Sequence, residues 1–155
     1  MANWDARFLR LAFEVAGWSK DPSTKVGAVL VDADRRVIGL GFNGFPRGVD
    51  DSSYRLNDRP RKYLRTVHAE ANAVLNAVAS TKGATAYVTH HPCAQCAGVL
   101  IQAGAVRIVC PYPEGGFAER FEESILTSRE MLHEANVTLD YVSGEDSPIP
   151  TGNLP

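Results

Sequence analysis

In NWDARFLRLAFEVAGWS the apolar residues Trp4, Phe8, Leu11, Ala12 and Val15 recur at the spacing of one helix face, with Asn3 placed to cap it and Gly17 near its stop. The period then changes. KVGAVLVD and RVIGLGF are short β-branched runs joined by the polar ADR, and they predict an antiparallel hairpin. From Asn43 to Lys62 periodicity lapses in NGFPRGVDDSSYRLNDRPRK, a stretch long enough to suggest a functional loop. Regular structure resumes with a helix from about Val67 to Ala79, a strand ATAYVTH, a helix from about Cys93 to Ala103 and a strand AVRIVC. After PYPEGGF, a second Gly/Pro loop, FEESILTSREMLHEA is amphipathic, with Phe121, Ile125, Met131 and Leu132 near one face, and VTLDYV is a last strand.

This order, α-β-β-α-β-α-β-α-β, predicts an α/β fold: a mixed five-stranded sheet with helices on its faces, an antiparallel N-terminal hairpin and parallel later strands. Residues 1–142 form one domain, and the proline-rich tail 143–155 reads as irregular. Helices that follow strands start at the carboxyl edge of the sheet, where ligands gather in open α/β folds. The heads of the second and third helices, with His68 and Cys93, therefore meet at one edge.

Composition narrows the class. The chain has 155 residues, 45% hydrophobic and 22% charged, in the range of a globular protein of one domain. No apolar run approaches the roughly 20 residues of a membrane span, and MANWDARFLR does not read as a secretory leader, so a cytoplasmic location is expected. A formal charge of −2, with only the short basic run Arg59 to Arg65, favours a small-molecule substrate over long nucleic acid. The three cysteines are an odd number, two of them three apart, which points to metal or redox chemistry over a disulfide framework. Cys110, closing VRIVC, reads as a small buried apolar residue.

The chemistry concentrates in TVHAEANAVLNAV and HHPCAQCAGVL. Cys93 and Cys96, at i and i+3 near a helix start, face the same way and can grip one cation with His68 as third ligand. Three protein ligands leave one tetrahedral position open, as in catalytic zinc sites. A structural zinc would need a fourth donor, for which His90 and His91 are nearest, though residues just before Pro92 more often line a pocket. A thioredoxin-like redox pair would leave His68 and Glu70 without a role. Glu70 lies two residues from His68, and both can face the ion only where the helix begins and the preceding residue is off the helical path.

His-x-Glu followed by Pro-Cys-x-x-Cys is the signature of zinc deaminases. With HAEANA, PCAQCAGVLIQAG, SKDPSTKVGAV and GFNGFPRGVDD, the chain resembles the deoxycytidylate deaminase branch of the cytidine deaminase superfamily from Phe8 to about Val142. The resemblance implies a three-layer α/β/α cytidine-deaminase-like fold, one catalytic Zn2+, and hydrolysis of dCMP to dUMP and ammonia with Glu70 as proton carrier. It implies substrate contacts from Asn43, from the backbone amide of Ala69 or Cys93, and from backbone carbonyls around Thr89 to His91. Lys25 and Arg47 are the candidates for a phosphate. It further implies a homo-oligomer, dimer to hexamer, with dCTP and dTTP as possible effectors. With no Cys or His between Gly41 and Val67, a second zinc is not expected. Alternatives that stay open are another small substrate (dCTP, cytidine or a guanine-type base) and a nucleic-acid base editor.

Overall fold

A computed structural model describes residues 3–142; the tail expected to be irregular lies outside them. Its elements are α1 (Trp4–Ala16), β1 (Gly27–Val31), β2 (Val37–Phe42), α2 (Ser53–Leu56), α3 (Arg59–Arg65), α4 (Ala69–Leu75), β3 (Thr85–Val88), α5 (Ala94–Gln102), β4 (Arg107–Pro111), α6 (Gly115–Arg120), α7 (Glu122–Glu134) and β5 (Thr138–Val142). The five strands form one sheet in the order β2-β1-β3-β4-β5. β1 runs antiparallel to both β2 and β3, while β3, β4 and β5 are parallel, so the predicted hairpin and parallel half are both present. Four strands therefore point the same way, and their carboxyl ends share one edge.

β1 is buried at every residue because both faces of the sheet are covered. Its side chains alternate between two cores. Ala28 and Leu30 join Ala73, Ala86, Val88, Leu100, Ile108 and Leu132 under α4, α5 and α7. Val29 and Val31 turn to the opposite face and pack with Phe8, Leu9, Ala12, Tyr87 and Val109 under α1. The result is three layers, with α1 alone on one side. Asn3 caps α1 as expected, its Oδ1 accepting from the amide of Ala6. Cys110 is fully buried, as its place in an apolar strand predicts.

Close approach of backbone sets where α4 lies. A Cβ at Gly41 of β2 would overlap the carbonyl of Ala69 and the amide nitrogen of Ala73, and a Cβ at Gly27 of β1 would overlap the carbonyl of Ala12 on α1. Glycine at Gly41 thus lets α4 rest directly on the sheet, and α4 carries Glu70 just inside its start. Gly41→Ala is expected to destabilise the fold by about 1–3 kcal/mol through overpacking, read as a lowered Tm. It should also weaken zinc binding, measured by competition with a chelator, because the head of α4 must move.

Three expectations need correction. The helix expected over Val67 to Ala79 is shorter, Ala69–Leu75, because after Asn76 the chain turns back and the amide of Val78 donates to the carbonyl of Ile38 on β2. The loop from Asn43 to Lys62 is not featureless: it contains α2 and the first half of α3, whose Asp58 side chain accepts from the Arg61 amide ahead of a proline in the first turn. On α7 the buried face is Ile125, Ser128 and Leu132, while Phe121 is exposed and turns to a cavity described below.

Candidate active site

The carboxyl edges of β2 and β3 bring the two motif-bearing helix starts together. An antiparallel bridge between Gly44 and Val67, with hydrogen bonds of 3.1 and 2.8 Å in the two directions, pins the residue before His68 to the end of β2. His68 is the N-cap of α4 with extended dihedrals (φ −70°, ψ 155°), and Cys93 is the extended N-cap of α5 (φ −65°, ψ 166°). Neither lies on the helical path. That is why His68 and Glu70, only two residues apart, can both serve one site.

His68 Nδ1 lies 3.3 Å from Cys96 Sγ and 3.6 Å from Cys93 Sγ. Two donors on one tetrahedral zinc, with Zn–S near 2.3 Å and Zn–N near 2.0–2.1 Å, are separated by roughly 3.6 Å. All three donor atoms lie within 4.8 Å of one another, so the set fits one zinc ion without rearrangement. Among the described residues this is the one cluster of metal-ligating type, and neither His90 nor His91 belongs to it. Burial rises from exposed His68 through Cys93 to buried Cys96. The hydrogen bond from the Cys96 thiol, helped by His68, holds the Cys93 thiol well below its ordinary range. The same contact, with burial, pushes Cys96 up. His68 is raised, chiefly by its hydrogen bond with Cys93.

Glu70 is 4% exposed, and burial pushes its carboxyl above the usual carboxylate range. A raised affinity for the proton suits a group that takes one up and hands it on. It opens onto a cavity of about 370 Å³, large enough for a small ligand. Buried Asn43, Ala69, Glu70 and His91 mark its floor; exposed Arg59, Tyr63, Arg120 and Phe121 mark its mouth.

The residues singled out for substrate divide into two groups. Asn43, Ala69 and His91 line the cavity; Lys25 and Arg47 do not. Arg47 instead donates to Asn76 Oδ1 at 2.9 Å. The Asn43 amide braces the wall, its Oδ1 accepting from the Val26 amide (2.8 Å) and its Nδ2 donating to the Thr24 carbonyl (2.9 Å). One lone pair and one N–H are left over. His91 is tied by its side chain to β5: Arg129 Nε donates to Tyr141 Oη at 2.9 Å, and Tyr141 Oη lies 3.1 Å from His91 Nδ1. With Oη accepting from the guanidinium, its own proton is free to go to Nδ1, the arrangement in which the imidazole proton sits on Nε2. Nε2 is buried and makes no hydrogen bond of ordinary geometry, and burial, with the nearby Arg129 charge, lowers the ring to about 4, keeping it neutral.

Sequence reasoning missed the cavity's cationic wall. Lys62, 3% exposed, donates to Asp21 Oδ1 (3.0 Å) and Ser23 Oγ (3.3 Å). Arg120 belongs to α6, which begins inside the expected loop PYPEGGF and runs on through residues 118–120. The one available signal was Asp58 ahead of Arg59-Pro60, a helix start that would have placed Arg59 and Lys62 on one short helix.

The model of the cytidine and deoxycytidylate deaminase zinc-binding region matches residues 2–111. A protein of Aliivibrio fischeri described as an uncharacterized deaminase in the luxG 3′ region is 42% identical over 142 residues, covering 92% of this chain and 95% of that one. A probable deoxycytidylate deaminase of Caenorhabditis elegans is 38% identical over 141 residues, covering 88% of this chain and 68% of that one. The crystal structure of dCMP deaminase from the cyanophage S-TIM5, in complex with dCMP and dUMP, superimposes with a TM-score of 0.74 at 20% identity, covering 92% and 99% of the two chains, which establishes the shared fold. On the strength of that family match and the identity to these relatives, the chain belongs to the cytidine and deoxycytidylate deaminase family.

Proposed function

We propose that this chain hydrolyses dCMP to dUMP and ammonia, using one zinc ion held by His68, Cys93 and Cys96 and a proton carrier, Glu70. The observation that carries the reading is a buried carboxyl on the floor of a ligand-sized cavity, two residues from one member of a His-Cys-Cys set. Relatives named as deoxycytidylate deaminases supply the choice of pyrimidine.

Bound zinc supplies Lewis acidity, which makes a water nucleophilic near neutral pH. Glu70 receives one proton from the attacking water and passes it to N3 of the ring; it then takes the second proton from the new C4 hydroxyl and gives it to the departing amine, so that the C4–N bond breaks as the C4 carbonyl forms and ammonia leaves. In this reading the backbone amide of Ala69, in the first turn of α4 where N–H groups lack intrahelical acceptors, or that of Cys93, holds the ring oxygen. In the same reading the backbone carbonyls from Thr89 to His91 accept from the exocyclic amine, and the left-over Asn43 groups bind sugar or base. Because the Glu70 side chain is shielded from bulk water, the proton it takes is kept for the substrate.

The same reading extends to a cytoplasmic homo-oligomer, dimer to hexamer, with dCTP and dTTP as effectors, on the resemblance of the loop GFNGFPRG. No described helix is long and apolar enough to cross a membrane. The purified zinc-loaded protein is to be incubated with dCMP, CMP, dCTP, deoxycytidine, guanine and a cytosine oligonucleotide, and ammonia measured. dCMP is expected to be the best substrate. Turnover of the oligonucleotide alone, or of guanine alone, defeats the reading.

A further inference from the structure

Two cations that line the cavity have no ion-pair partner among the described residues. Asp21 and Lys62 neutralise each other in a buried ion pair of 3.0 Å, with side chains 9% and 3% exposed. Glu70 sits on the floor beside the metal-ligating set. What remains is Arg59, at the start of α3, and Arg120, at the end of α6, both exposed and both lining the cavity. Among the described residues neither faces a carboxylate at ion-pair distance. Arg120 Nε donates to the Gly116 carbonyl at 3.2 Å and its guanidinium lies 5.7 Å from the centre of the Phe121 ring, which fixes its direction while leaving its NH groups free of a counter-ion.

We propose that Arg59 and Arg120 are the groups that read the substrate's charged tail, a phosphomonoester, and that Lys62 acts indirectly by orienting Ser23. This rests on the deamination reading above, because it takes the base to lie at the floor. Two guanidiniums on different helices carry +2, which matches the −1.5 to −2 of a phosphomonoester at neutral pH. Arginine presents its N–H groups in a planar fork suited to phosphate oxygens. Lys62 donates to Ser23 Oγ, so the Ser23 hydroxyl proton is turned away from it, and Ser23 lines the cavity beside Thr24. The ammonium itself is committed to Asp21 and is not a free counter-charge.

The test compares wild type, Arg59→Gln, Arg120→Gln, their double variant and, as a surface control, Arg10→Gln, which is exposed on α1. Values of kcat/KM for dCMP and for deoxycytidine are measured with zinc-loaded protein, together with the shift in Tm caused by inorganic phosphate. Each single variant is expected to lose about tenfold or more on dCMP, mainly through KM, and to leave deoxycytidine unchanged. The double variant should lose about a hundredfold and show no phosphate shift. Arg10→Gln should match wild type. Equal use of dCMP and deoxycytidine by wild type, or an unaltered ratio in the double variant, overturns the proposal. So does a change of ratio in Lys25→Gln or Arg47→Gln with none in Arg59→Gln. If wild type turns over neither pyrimidine, the deamination reading fails on its own; a phosphate shift lost in the double variant then still upholds the anion site, and its persistence removes it.

Discussion

Glu70→Gln is expected to cut ammonia release from dCMP by about 10²–10⁴-fold, the range that a positioned general acid–base supplies. The amide keeps the shape of the side chain and its donor and acceptor ends, and it removes only the exchangeable proton. Burial already favours the neutral carboxyl at this position, so a neutral isostere suits the site and the variant should fold with an unchanged or raised Tm. Zinc content, measured by metal analysis, should stay at one per chain. Undiminished turnover would remove Glu70 from the mechanism. Loss of zinc along with activity would recast Glu70 as part of the metal's surroundings.

Cys96→Ser should have the larger effect on the metal. Cys96 is the most buried of the three donors, and His68 Nδ1 lies nearer to its sulfur than to that of Cys93. A serine hydroxyl is a poor zinc ligand and, at 3% exposure, has no solvent to compensate it. Zinc affinity should fall by more than the roughly 10–100-fold that changes outside the ligand set cost. Turnover should vanish without added zinc, and Tm should approach that of wild type stripped by a chelator. Binding of dUMP by the variant, read by calorimetry, should survive in weakened form because the mouth of the cavity is intact. Wild-type zinc content in Cys96→Ser would show that the His-Cys-Cys set is not the metal site.

The parts of the site that were legible beforehand are those whose geometry is local. Cys93 and Cys96 are three apart across a cap and a first helical turn, and Pro92 ends the segment after β3; these are short-range facts that survive whatever the rest of the chain does. His68 could be joined to them because parallel strands with connecting helices place successive helix heads at one edge. The requirement that His68 lie off the helical path was also a local one, and its N-cap dihedrals meet it. Asn43 was singled out for a ligand, yet half of its amide's hydrogen-bonding capacity is committed to the backbone of Thr24 and Val26, contacts between residues 17 and 19 apart that no pattern reveals.

Lys62 shows most plainly why the remainder was hidden. A lysine in a basic run reads as a solvated surface group, and it becomes a buried wall of the cavity only because Asp21, 41 residues earlier, comes within 3.0 Å of it. Arg120 lies in a Gly-rich segment with no hydrophobic period, and its helix, α6, is only six residues long. The tie from His91 through Tyr141 to Arg129 joins residues 50 apart, from the segment after β3 to β5, with β4 lying between those strands in the sheet.

Taken alone, the amino-acid order determined the layers, the strand directions, the three candidate metal donors and the candidate proton carrier, since each follows from periodicity, capping or spacing within a few residues. Only the tertiary structure decided which cations face the cavity, how His91 is oriented and how closely α4 rests on β2, since those depend on pairs far apart in the chain whose meeting is a property of packing and not of neighbourhood.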